Sequence, residues 1–182
     1  LNNADALLKL NGTGTLQSAR VSTASNEGKG ITVNDNATIS IMKIEANSEL
    51  NIADTKTLSG VTDVAENTTL KLSGSGTFGS TLNLEGTLEA GTNLTVSRII
   101  NVADNAVVSI PDAETTLSYS GGNLTVEAYT LKISGAGTFS NSSNSPIVLA
   151  VEDSVLDITG NGIISGPIKL EGCTLKASGS PT

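Results

Sequence analysis

A chain of 182 residues can bury one substantial core and is too short for two comfortable domains. Aromatics make up only 2%, so the interior must be built from Leu, Ile, Val and Ala, which suits a narrow stack of aliphatic layers better than a roomy globular pocket. A net charge of −8, with two arginines (Arg20, Arg98) and scattered lysines, excludes the basic stripe that nucleic acid requires, and the lack of histidine excludes Ser–His–Asp catalysis.

In chain order, the first unit is Leu8-x-Leu10, a Gly-rich turn, then Thr15-Leu16. Val33…Asn36…Ile39 follows with a spacing of three and three, and Ile44…Asn47…Leu50 repeats it. Leu50-x-Ile52 then leads through a turn to Thr57-Leu58. Both halves join in Val64…Asn67…Leu70-x-Leu72…Thr77-Phe78. Leu88…Gly91…Leu94 keeps the spacing with Gly in the Asn slot, and Val102…Asn105…Val108 restores Asn. Leu131-x-Ile133…Thr138-Phe139 and Ala150…Asp153…Leu156-x-Ile158…Ile163-Ile164 complete the series.

Alternation with period two dominates, and no window sustains a 3.6-residue period, so the chain reads as all-β. Short Val/Ile/Leu/Thr-rich strands bounded by Gly, Asn, Asp and Ser, repeating about every 20 to 25 residues, predict a right-handed parallel β-helix of eight or nine coils. At roughly 4.8 Å per coil the rod is about 40 Å long. The alternative is a β-sandwich, which would join its strands by hairpin turns. The whole of 1–182 reads as one β-helical domain, part of a longer chain.

In a β-helix like stacks on like. Asn36, Asn47, Asn67, Asn105 and Asp153 are expected to form an internal ladder bonding neighbouring backbone at the sharp turns. Thr15, Thr57, Thr77 and Thr138 are expected to face outward, with Thr13, Thr55 and Ser75 beside them, as a flat array of the kind that orders water or meets a polysaccharide.

Little in the sequence suggests catalysis. The acid clusters Asp63/Glu66, Asp112/Glu114 and Glu152/Asp153/Asp157 read as solvated turn acids; a glycosidase would need two carboxylates facing across a cleft. No calcium-loop spacing occurs, and no cofactor is implied. Cys173, the only cysteine, reads as a buried aliphatic-like residue without a base partner. Sequons stand at Asn11, Asn36, Asn67, Asn93, Asn123 and Asn141, with Asn36 and Asn67 expected to be buried in the ladder. No apolar run reaches the roughly 18 residues of a membrane helix, so membrane insertion of this segment is not expected.

Units such as Leu72-Ser-Gly-Ser-Gly-Thr-Phe78 and Gly86-Thr-Leu-Glu-Ala-Gly-Thr-Asn-Leu-Thr-Val96 resemble the passenger repeats of bacterial autotransporters and of two-partner-secreted haemagglutinin-type adhesins. That resemblance implies a parallel β-helix on, or released from, a bacterial outer surface, with a structural and adhesive role and no enzymatic activity. The partners it suggests are host or matrix glycans and proteins. Exposed strand edges at either end of such a rod would in addition allow end-to-end self-association.

Overall fold

The computed structural model describes residues 1–97, 100–142, 144–171 and 173–179. Among these residues there is no helix, and every strand pairing is parallel. Parallel pairing throughout excludes the hairpins of a sandwich. The protein is a β-solenoid.

The first turn lays down β1 (Leu7–Leu10) and the long β2 (Thr15–Val21), the second β3 (Gly30–Val33) and β4 (Ala37–Ile44), the third β5 (Ser48–Ile52) and β6 (Thr57–Val64). From the fourth turn the long strand divides in two, giving β7 (Thr69–Ser73), β8 (Thr77–Phe78) and β9 (Thr81–Leu84). The fifth turn has β10 (Thr87–Ala90), β11 (Leu94–Val96) and β12 (Ile100–Val102), and the sixth β13 (Ala106–Ile110), β14 (Thr116–Tyr119) and β15 (Leu124–Val126). The seventh has β16 (Thr130–Gly135), β17 (Thr138–Asn141) and β18 (Ile147–Leu149), and the eighth β19 (Val155–Gly160), β20 (Ile163–Ser165) and β21 (Ile168–Leu170). A ninth turn opens with β22 (Thr174–Gly179).

These strands build three faces. The first is the nine-stranded sheet β1-β3-β5-β7-β10-β13-β16-β19-β22. The leading halves of β2, β4 and β6 start the second face, which continues through β8, β11, β14, β17 and β20. The trailing halves start the third, which continues through β9 and β12, with β15, β18 and β21 stacked beyond.

The bend that splits β4 and β6 between two faces has a local cause. The register slips at Ser40, because Ile39 pairs with Gly60 while Ile41 pairs with Val61. Gly60 has φ +125°, and a Cβ there would lie 1.7 Å from the Ile39 carbonyl oxygen, so only glycine fits.

Inward residues form columns, each side chain resting on its counterpart one turn away. Leu8, Ile31, Leu50, Leu72 and Ala90 make one, and Leu70, Leu88, Val108, Ile133 and Ile158 another. On the second face Leu58, Phe78, Val96, Tyr119 and Asn141 align, and the Tyr119 and Phe139 rings stack with centroids 6.2 Å apart. The step between turns ranges from 18 residues (Leu72 to Ala90) to 25 (Ile133 to Ile158).

The three-and-three units do not all fall on one register. Leu70 and Val108 share a column, but Leu50 pairs with Leu72 and Leu156 with Leu131. Val33…Asn36…Ile39 and Leu88…Gly91…Leu94 run from the first face to the second, whereas the other units run from the third to the first. The same corner chemistry therefore serves two different corners.

Candidate functional site

The expected internal Asn ladder needs correction. Asn36, Asn47, Asn67, Asn105 and Asp153 are all exposed. The buried corner residue is the one after each: Ala37, Ser48, Thr68, Ala106 and Ser154. At these five corners the interior holds a methyl, hydroxymethyl or hydroxyethyl group. Ser154 shows what the small polar residue does there. Its Oγ donates to the Val126 carbonyl at 2.7 Å and accepts from the N–H groups of Val151 and Ala128. Thr68 Oγ1 likewise donates to the Ala65 carbonyl at 2.6 Å.

The exposed amides still bond neighbouring backbone, from outside. Asn36 Oδ1 accepts from the Thr57 N–H at 2.9 Å, Asn47 Oδ1 from Thr69 at 2.8 Å and Asn93 Oδ1 from Thr116 at 2.6 Å. Asp104 Oδ1 accepts from Thr130 in the same way. In each case a side-chain oxygen replaces a backbone carbonyl at the start of the next turn's strand. Asn67 and Asn105 have another role: with φ +59° and +60° they supply the left-handed turn residue that Asn tolerates well. Among the described residues the buried asparagine is Asn141, whose Nδ2 donates to the Ser145 and Pro167 carbonyls.

The threonines predicted to form one array occupy several positions on the second face. Thr57 and Thr77 stack, and their column continues outward through Thr95, Ser118, Ser140 and Ser165. Thr138 lies in the adjacent column with Thr116, and Thr15 in another with Thr38 and Ser59. Thr13, Thr55 and Ser75 sit in exposed turns outside the strands, Thr55 with φ +62° and Ser75 bonded to Asp54. These second-face columns carry hydroxyls, apart from Ile163 stacked on Thr138, and no charge. The first face differs, with outward columns of alternating sign, Glu49–Lys71–Glu89 and Lys132–Asp157–Lys176.

Asp112 and Asp157, from two of the acid clusters, take structural positions. Asp112 Oδ1 accepts from the Glu114 N–H at 3.0 Å, closing a turn, and Asp157 lies between two lysines in its column. Cys173 is partly buried against the core, with Sγ 3.2 Å from the Leu149 carbonyl. Among the described residues no group of three His, Cys, Asp or Glu side chains could hold a metal ion.

One polar feature went unpredicted. On the third face Arg20, Lys43, Asp63, Asn83 and Asn101 follow one another on successive turns. Asn101 Nδ2 donates to Asn83 Oδ1 at 2.8 Å, and Asn83 Nδ2 to Asp63 Oδ1 at 2.6 Å. Arg20 pairs with Glu45 at 2.6 Å. This column borders an open groove of about 520 Å³ that spans four turns, with Ala65 and Ala103 among its lining residues. The signal in the sequence was the triplet before each corner: Thr62-Asp63-Val64, Leu82-Asn83-Leu84 and Ile100-Asn101-Val102.

Compared with family models, curated proteins and solved structures, the chain gives no match. Among the described residues no helix is long and apolar enough to cross a membrane.

Proposed function

We propose that this chain is a non-catalytic structural and adhesive rod of a microbial protein, displayed at the cell surface or secreted. The observation that carries this reading is the parallel stacking, continuous through nine strands on the first face, which turns outward positions into ordered columns of side chains along the solenoid. Such a scaffold presents repeated contacts over a long surface, as binding to matrix glycans or proteins requires. The similarity of its Gly/Ser/Thr-punctuated units to autotransporter and haemagglutinin-type passenger repeats supports the same reading. Antibody against the chain should label intact source cells or their medium; signal seen only after the cells are opened would overturn the reading.

A second reading is favoured by the charge-free column Thr57–Thr77–Thr95–Ser118–Ser140–Ser165. Hydroxyls repeating at roughly 4.8 Å on a flat sheet can template ordered water. Measured thermal hysteresis that is lost on Thr77→Lys would establish it, and zero hysteresis would remove it.

A further inference from the structure

We infer that the groove on the third face binds a neutral, linear polysaccharide running along the solenoid axis, an assignment that deepens the adhesive reading and rests on it. Lys43, Asp63, Asn83 and Asn101 repeat once per turn, so their column extends about 14 Å along the axis. A polymer of repeating units can meet the same kind of contact on each turn. The lining alanines, Ala65 and Ala103, leave the space between column and corner open.

The column's chemistry selects the ligand. Each internal bond uses one hydrogen of an amide and one lone pair of its acceptor, so the remaining Nδ2 hydrogens, the Asn101 Oδ1 and the second Asp63 oxygen stay available. Donors and acceptors therefore alternate along the groove. A hydroxyl is matched to such a surface because it does both. Charge excludes the acidic glycans: with Glu45 held by Arg20, the remaining Lys43, Asp63 and Glu85 sum to a net negative groove. A peptide would need large apolar anchors along the groove, but Ile44, Val64 and Leu84 are buried beneath it and Val102, partly exposed, lies at one end. Neutral hydrogen bonds to an open groove predict weak binding in the millimolar range, strengthened when many rods engage one polymer.

The test is an NMR titration of the whole chain with cellohexaose, chitohexaose and maltohexaose, with an oligogalacturonate as charged control. At least one neutral hexasaccharide should give saturable shifts at the Asn83 and Asn101 side-chain amides and at the backbone of 63–65. N83L/N101L should weaken that binding tenfold or more, as should Ala65→Tyr, which fills the groove without touching the polar column. T57A/T77A should leave it unchanged. The inference is overturned if none of the three sugars shifts the groove signals, if oligogalacturonate binds there more tightly, or if binding survives both groove variants. Adhesion is scored separately on matrix-coated plates: a wild-type chain that coats the matrix while both groove variants coat it equally sinks the groove alone, and a wild-type chain that coats nothing sinks the adhesive rod.

Discussion

Leu131, Leu156 and Leu175 occupy the same inward column on three consecutive turns, yet the first two are 0% exposed and the last 45%. The side chain and its strand position are the same; only the neighbours differ. Leu156 has a turn on either side, whereas among the described residues Leu175 has only the eighth turn against it. The other end of the solenoid repeats the lesson at finer grain. Leu16 is 36% exposed, while Val21, at the far end of the same strand, is fully buried. Leu1 packs at that edge, its backbone nitrogen bonded to the Arg20 carbonyl and its own carbonyl accepting from the Ser22 N–H at 3.0 Å. In a solenoid burial is conferred by adjacent turns.

The largest test of this contrast is truncation along the shared column. Leu156→Ala should cost about 3–4 kcal/mol, and Leu175→Ala under about 1 kcal/mol, as read from urea unfolding at an unchanged m-value. Equal losses would show that the last turn is as tightly held as the middle. Next comes the corner hydroxyl: Ser154→Ala removes the acceptor of the Ala128 and Val151 N–H groups, while the Val126 carbonyl keeps the Ala150 N–H, and should cost about 2 kcal/mol. Thr62 gives the opposite sign. It is fully buried between Met42 and Leu82, and among the described residues its Oγ1 has no hydrogen-bond partner, so Thr62→Val should add about 1 kcal/mol. The smallest effect belongs to the exposed clamps. Asn47→Ala should cost about 0.5–1 kcal/mol and speed amide exchange at Thr69 before any other site on the first face.

The fold was legible because aliphatic residues alternate in short strands, and that alternation survives changes in loop length. Corners were harder to read. Asn attracts attention as the polar letter at a fixed spacing, but the buried position is the plain residue after it, always Ala, Ser or Thr in Asn36-Ala37, Asn47-Ser48, Asn67-Thr68, Asn105-Ala106 and Asp153-Ser154. Size decides here, and polarity misleads. The threonine columns were legible as outward-facing for Thr57, Thr77 and Thr138, but their register was hidden, because variable turn lengths leave Thr57 and Thr77 in one column and Thr138 two residues off it. The Asp63–Asn83–Asn101 column was visible only as three unremarked triplets, since spacings of 20 and 18 residues become neighbours only once the winding is known.

The side-chain oxygens of Asn36, Asn47, Asn93 and Asp104 also bear on how such a chain can change over time. Each fixes the first amide of the strand above it, so the register of a turn is set at the strand's own threshold, independently of how many residues precede it. Segments can lengthen or shorten between these anchor points without disturbing the layers on either side. The exposed stretch at Pro111–Glu114 is a natural docking bay for grafted loops, and a guest peptide placed there should be carried on the solenoid without unwinding it.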